Sequence, residues 1–323
     1  MENIFTLTIP GILSGIVAVG LVYAFASLII IYVGRADMST ALTPSLYWDK
    51  ISRKTTHPVF PDNSVIWITG AGSGLGERLA YLLAKTANAS LQNENTTKLK
   101  LILSSRKVEQ LERVATECCR LAEQAGASNR SFQVKTLQLD LSDLSSIPEK
   151  VHQAQHLFDI SNPRIDAVIN AAGVTTRSLS VDSNFALDEY VTKVNYLGPV
   201  CLLKTLMKAT TTKSSTLTII QLGSVASKFG VPVRSAYCGA KFAIQGWLEA
   251  NLIEAVIKGR DVYILNCILG SIDTGLGERA LVDINPETGK VELNEETDNN
   301  LATGLDPGMK WYFWRRTIIS AIM

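Results

Sequence analysis

Six short, almost wholly apolar runs alternate with longer amphipathic stretches, and a glycine-rich turn follows the first run. Together they predict an α/β protein with a doubly wound parallel sheet. An apolar N-terminal segment able to form a transmembrane helix precedes it. A strand with no polar face must be covered on both sides, and helices between parallel strands supply that cover. Right-handed crossovers then wind the sheet into a Rossmann-type layer.

The runs predict strands over 65–68, 99–104, 132–137, 167–169, 216–221 and 262–267. Periodic stretches predict helices over 74–87, 108–125, 146–158, 188–209 and 236–258. The Asn- and Thr-rich segment 86–97 reads as a surface loop. The organisation expected is an anchor over 1–35, a polar linker over 36–63 closed by Pro58 and Pro61, and one domain over 64–323.

The first segment carries no charged residue from Ile4 to Val33. About 20 apolar residues cross a bilayer, so this run spans it with tilt to spare. The step Ala24-Phe25-Ala26 resembles a signal-peptide cleavage site, but Leu28 to Val33 continue the apolar run, which argues for a retained anchor. Glu2 precedes the run, while Arg35, Lys50, Arg53 and Lys54 follow it against Asp37 and Asp49. The positive-inside rule therefore puts the α/β domain in the cytosol.

A net charge of +1 over 323 residues lacks the basic surplus of a nucleic-acid binder. The five cysteines (118, 119, 201, 238 and 267) show no C-x-x-C spacing and read as reduced thiols. Sequons at Asn88, Asn95 and Asn129 would matter only in a lumen. His152 and His156 have i,i+4 spacing, but no third ligand accompanies them, so no metal site is expected.

Thr69-Gly70-Ala71-Gly72-Ser73-Gly74-Leu75-Gly76 sits between the first strand and the first helix. Glycines there let backbone approach a pyrophosphate, and a helix N-terminus offers unpaired N–H groups. Gly70, Ser73, Gly74, Leu75 and Gly76 are thus candidate cofactor contacts. Ser105, Arg106 and Lys107 end the second strand, where an NAD site usually carries an acidic residue for the ribose 2′-OH. A doubly basic turn suits a 2′-phosphate instead, and cations are otherwise disfavoured at a helix start. The cofactor expected is NADP(H). Asp140 with Leu141 after the third strand could meet adenine, and Asn170, Ala171 and Gly173 after the fourth could let the cofactor lie close.

Ser224 follows the fifth strand, and Tyr237 and Lys241 stand on the next helix with i,i+4 spacing. Such spacing puts both on one face. A free phenol, with a pKa near 10, is a poor acid and base at neutral pH; a neighbouring ammonium favours the phenolate. Ser224 can hydrogen-bond a substrate oxygen as charge develops. A Tyr/Lys pair alone is commonplace on helices; its order with the other motifs is not.

Taken in this order, the motifs resemble the short-chain dehydrogenase/reductase family from about Val65 to Thr274. The resemblance rests on residues 69–76, Asn170-Ala171-Ala172-Gly173, Lys193-Val194-Asn195, Ser224 and Tyr237-Cys238-Gly239-Ala240-Lys241. It implies that Asn195, Ser224, Tyr237 and Lys241 form a catalytic tetrad, with Asn195 supporting a water that links Lys241 to solvent. It also implies that Gly270 and Thr274 border the nicotinamide, although Leu269 stands where the family usually has proline. Arg177-Ser178-Leu179 and residues 194–198 are most similar to the membrane-anchored member 7 group of that family. That likeness implies endoplasmic-reticulum membranes and a lipophilic steroid- or retinoid-like carbonyl substrate, with a keto-sphingoid lipid as the runner-up. Relatives also form homodimers through the helices near 190–210 and 236–258. The resemblance implies one more strand after the helix expected from 315 onward; the sequence ends at Met323, so the last strand is expected to be missing. A weakly active, cofactor-binding membrane scaffold is the rival function, and a scaffold has no physical need for Ser224, Tyr237 and Lys241. The segment 275–307 carries no motif, and the aromatic stretch 309–314 reads as a helix covering the sheet.

Overall fold

The computed structural model describes residues 63–87, 99–128, 131–159, 161, 163–209, 216–272 and 274–293. The apolar span over 4–33, the linker up to residue 62, the loop residues 88–97, the three sequons and the segment 294–323 lie outside the described residues. Among the described residues no helix is long and apolar enough to cross a membrane.

The chain alternates β1 (Ser64–Thr69), α1 (Gly74–Thr86), β2 (Leu99–Ser105), α2 (Val108–Gln124), β3 (Phe132–Gln138), α3 (Ile147–His156) and β4 (Ala167–Asn170). Then come α4 (Phe185–Thr192), α5 (Gly198–Ala209), β5 (Leu217–Leu222), α6 (Ser235–Ile257) and β6 (Val262–Cys267). These six strands form one parallel sheet in the order β3-β2-β1-β4-β5-β6. Strand order reverses between β1 and β4, and in such sheets ligands bind outside the carboxyl ends of the strands at that point.

Alternating side chains divide the core. Ile66 and Ile68 face the layer of α1 and α2, with Leu79, Leu83, Leu111 and Val114. Val65 and Trp67 face the layer of α3, α5 and α6, with Val151, Leu203 and Leu248. Every residue of β1 and β4 is buried, as central strands covered on both faces require. β6 is the outermost strand on its side among the described residues, and its Tyr263 is exposed.

Trp67 is fully buried and its indole Nε1 donates to Ser104 Oγ at 2.7 Å, also fully buried, tying β1 to β2. Phenylalanine at 67 would leave that hydroxyl unpaired and a gap beside it. Trp67→Phe is expected to cost about 1–3 kcal/mol. Urea unfolding reads it as a lower midpoint at unchanged slope, and an unmoved midpoint would count against the bond's importance.

The helix expected over 188–209 is not continuous. It begins at Phe185 and is divided by a π-turn, Lys193–Leu197, in which the Gly198 N–H reaches the Lys193 carbonyl. Pro199 explains the division, because it has no N–H for the Asn195 carbonyl and its ring crowds that carbonyl in an α-helix. The segment after β6 also differs from expectation. It holds an antiparallel hairpin, β7 (Leu281–Ile284) with β8 (Val291–Leu293). Asn285 Oδ1 accepts from the Glu287 and Thr288 amides, and Gly289 takes φ +66°, closing the turn. The run Asn285-Pro286-Glu287-Thr288-Gly289 between alternating apolar residues was a readable hairpin signal.

Candidate active site

The carboxyl ends of β1, β4 and β5 carry a ladder of buried polar side chains. Thr69 Oγ1 donates to Asn170 Oδ1 at 2.8 Å, and Asn170 Nδ2 donates to Gln221 Oε1 at 2.6 Å. Gln221 Nε2 then donates to the Leu222 carbonyl at 3.1 Å. Asn170 therefore spends its side chain inside the sheet. The glycine-rich turn rests on this end. Gly70 has φ +68°, and a Cβ there would lie 2.6 Å from Ala172 Cα and 3.0 Å from the Ala171 carbonyl carbon. A Cβ at Gly76 would lie 2.4 Å from the Gly70 oxygen. Gly74 has φ +61° and faces Thr274, whose Cβ is 3.6 Å from the position a Cβ would take. The turn is thus tight enough for backbone N–H groups at the start of α1 to form an anion seat.

α6 carries Tyr237 and Lys241, both buried, and the Lys241 ammonium lies 5.6 Å from the Tyr237 ring centroid. The two side chains share one helix face, as their spacing requires. Lys241 Nζ also donates to the Leu222 carbonyl at 3.2 Å, so the polar ladder ends on this ammonium. Asn195 comes from the π-turn, which packs against α6. Its amide is anchored at both ends: Oδ1 accepts from Val174 N at 2.9 Å and Nδ2 donates to Val174 O at 2.8 Å. A Cβ at Gly173 would lie 3.1 Å from Asn195 Oδ1 and 4.0 Å from Lys241 Nζ, so Gly173 keeps the space between them open. Ser224 caps a 3₁₀ turn, Val225–Ser227, by accepting from Ala226 N at 3.1 Å. Ala226 packs with Tyr237 and Cys238, which brings that turn to the phenol's side of α6.

The other predicted contacts divide. Ser105 lies beside the turn, with Oγ 2.8 Å from where a Gly72 Cβ would stand, and Lys107 occupies the N-cap position of α2 in an extended conformation without a side-chain capping bond. Arg106 donates its Nη1 to the Tyr190 hydroxyl on α4. Asp140 turns one oxygen inward, accepting from Ser142 N at 2.9 Å and Ser142 Oγ at 2.7 Å. Leu141 is buried, and its carbonyl lies 2.3 Å from where a Gly198 Cβ would be, so close packing is its evident role. Gly270 is exposed, and a Cβ there would meet nothing within 4 Å, so sterics do not demand glycine at that position.

Two residues near the seat escaped sequence reading. Arg113 pairs with Glu77 at 2.8 Å and reaches the Gly72 carbonyl at 3.4 Å. Arg279 donates to Ser73 Oγ at 3.2 Å. Both require packing between distant segments. Burial pushes the Cys118 thiol up to about 12 and the Cys267 thiol up to about 11, so neither is a thiolate nucleophile at neutral pH. The His152 and His156 rings lie with centroids 4.3 Å apart and planes tilted by 36° on α3, and among the described residues no group of three or more His, Cys, Asp or Glu is placed to hold a metal.

A doubly wound parallel sheet with a glycine-rich anion seat at its switch point defines a Rossmann-type protein. A sequence profile of the short chain dehydrogenase family matches residues 64–283. The chain belongs to the short-chain dehydrogenase/reductase family of oxidoreductases, whose fold binds nicotinamide cofactors. It is similar to dehydrogenase/reductase SDR family protein 7-like of Drosophila melanogaster, 29% identical over 80% of this chain and 71% of that one. The Homo sapiens dehydrogenase/reductase SDR family member 7 is 29% identical over 67% of this chain, which spans 58% of that relative's length. Member 7B of Xenopus tropicalis is 28% identical over 81% of this chain and 76% of its own. Among solved structures, a Burkholderia phymatum short chain dehydrogenase/reductase in complex with NAD has TM-score 0.58 at 22% identity, covering 73% of this chain and 75% of that one. A Thermococcus sibiricus alcohol dehydrogenase complexed with 5-hydroxy-NADP has TM-score 0.53 at 24% identity, over 66% and 78% respectively. Both share the fold.

Proposed function

We propose that this chain is a membrane-anchored NADP(H)-dependent oxidoreductase acting on a lipophilic carbonyl or alcohol, steroid- or retinoid-like. The observation that carries the reading is the shared buried face of α6, where the Lys241 ammonium stands 5.6 Å from the Tyr237 ring beside Asn195 and Gly173. Gly70, Ser73, Gly74, Leu75 and Gly76 would hold the cofactor's diphosphate, with Ser105, Arg106 and Lys107 at its 2′-phosphate and Thr274 near the nicotinamide. The tight turn and the absence of any acidic residue in that basic segment fit such a group. When bound, NADP(H) supplies or accepts the hydride.

In the reductive direction Tyr237 donates its hydroxyl proton to the substrate oxygen, and Lys241 stabilises the phenolate left behind. Ser224 hydrogen-bonds the same oxygen as charge develops on it. Asn195 holds the Val174 backbone through its amide. Pro199 deprives the Asn195 carbonyl of its α-helical donor, which suits that carbonyl to bind the water that returns a proton to Lys241. The apolar segment from Ile4 to Val33 supports a membrane anchor, and a bilayer-bound enzyme suits a substrate that partitions into lipid.

The test is NADPH consumption by membranes bearing the full chain with a panel of lipophilic carbonyl compounds, with NADH alongside. Turnover with NADPH well above that with NADH is expected; equal use of both would remove the 2′-phosphate reading. Arg106→Ala is expected to raise KM for NADPH about 10- to 100-fold, the worth of charge-assisted bonds to phosphate, while leaving KM for NADH nearly unchanged. An unchanged NADPH KM would assign the 2′-phosphate to other residues.

A further inference from the structure

The chain that connects Ser224 to Tyr237 holds one residue in a backbone conformation that its side chain disfavours. Val233 has φ +58°. Glycine and, less readily, asparagine adopt the left-handed region; a β-branched residue there is an outlier. Among the described residues Asn63 is the other non-glycine residue with a positive φ. The local chain accounts for the angle. Arg234 N donates to the Val231 carbonyl at 3.2 Å, and Pro232 stands second in that four-residue turn. A proline second and a positive φ third mark a type II turn, whose third place ordinarily goes to glycine or asparagine. The Val233 side chain belongs to none of the hydrophobic clusters formed among the described residues, so core packing is not what keeps valine in this conformation.

Strain of this kind persists where the surroundings over-determine it, and here contacts on two sides do so. On one side, Cys238 N donates to the Arg234 carbonyl at 2.8 Å and Val231 N donates to Cys238 Sγ at 3.3 Å. Both ends of the turn are thus fixed to α6 beside Tyr237. On the other side, the Val233 carbonyl accepts from Ser178 N at 3.0 Å and from Thr176 Oγ1 at 3.5 Å. Those donors belong to the loop after β4, whose Val174 is held by the Asn195 amide. The Val233 carbonyl therefore joins the Asn195 loop to the connector between Ser224 and Tyr237. Rotation to an ordinary negative φ would swing that carbonyl away from Ser178. Resting on the reading of Tyr237 as proton donor, we propose that Val233 is a positioning residue for the reaction. Its left-handed backbone, not its isopropyl group, holds the Asn195 loop against the Ser224 and Tyr237 side of the site.

Three variants of the full chain in detergent test this, read by kcat for carbonyl reduction, NADPH affinity and urea midpoint. Val233→Gly suits the turn, so kcat is expected to stay within about twofold and the midpoint to match or exceed that of the unsubstituted chain. Val233→Pro fixes φ at about −65° and is expected to lower kcat about 10- to 100-fold, the upper figure being the worth of a 1 Å misplacement. NADPH affinity should hold within about twofold, because the turn lies on the substrate side and a positioning loss falls on kcat. Ser178→Pro removes the N–H that the Val233 carbonyl accepts from and should reproduce that loss. Joining it to Val233→Pro should add little, since both break one contact. Unchanged kcat in Val233→Pro would overturn the proposal. So would an equal loss in Val233→Gly, which assigns the role to the isopropyl group. Should Val233→Pro fail to fold, Ser178→Pro carries the test alone, and unchanged kcat there overturns the proposal. If the unsubstituted chain reduced no carbonyl with NADPH or NADH, the oxidoreductase reading itself would fall, and that is visible before any substitution is made.

Discussion

Tyr237→Phe is expected to lower NADPH-dependent carbonyl turnover at least about a thousandfold while leaving NADPH affinity within twofold, because it removes one oxygen and little else. The ring that packs with Ala226 and Cys238 remains, as does the surface that faces the Lys241 ammonium. A loss near 10³ corresponds to about 4 kcal/mol of transition-state stabilisation, within the range of a positioned general acid. Single-turnover measurement under saturating NADPH isolates that step from binding and product release. If the variant kept more than a tenth of the original rate, the proton would have to come from elsewhere, and Ser224 or solvent would inherit the role. A thousandfold loss with unchanged binding also disposes of the membrane-scaffold alternative, since a scaffold has no turnover to lose.

What the sequence made legible was local. Apolar runs of strand length, the turn from Thr69 to Gly76 and the i,i+4 pair Tyr237/Lys241 each lie within a few residues of chain, and each stands where its pattern implies. The parts that sequence reading missed are made by long-range packing. Asn170 looked like a small polar residue lining a cofactor, but strands paired in register give it Thr69 and Gln221 as side-chain partners, 101 and 51 positions away. Arg106 looked like a free phosphate clamp, but α4 brings the Tyr190 hydroxyl to it, so an incoming phosphate must compete with a phenol for that guanidinium. At Asp140 the added detail is local instead: Ser142, two residues on, donates to one of its oxygens through both its amide and its hydroxyl. The π-turn and the β7–β8 hairpin belong to a different class. Pro199 and the Asn285–Gly289 turn announced them, but helical periodicity masked the first, and the polar composition around the second hid a short alternation.

The glycine-rich turn allows a sharper test, because two glycines in different settings of one chain should respond to the same substitution with opposite sign. Gly70→Ala places a methyl group at φ +68°, where an L-residue costs about 1–2 kcal/mol. It also drives that methyl to 2.6 Å from Ala172 Cα and 2.7 Å from Ala172 N, atoms of backbone that cannot rotate away. Relief requires the turn after β1 and the loop after β4 to separate, and overpacking of this kind adds about 1–3 kcal/mol. The sum, about 2–5 kcal/mol, is a large share of the stability of an ordinary domain. Whatever fraction stays folded has its anion seat displaced, so NADPH binding should fall with stability. Gly246→Ala is the counterpart. Gly246 lies in the interior of α6, is exposed, and has nothing within 4 Å of the added methyl, so alanine there should stabilise by about 0.5–1 kcal/mol through a less flexible unfolded chain. Urea midpoints moving in opposite directions, with only Gly70→Ala losing NADPH, would place the demand for glycine in the close approach of two backbones. Equal, small shifts from both would mean that the turn has room to spare and that the diphosphate seat is not built by steric necessity.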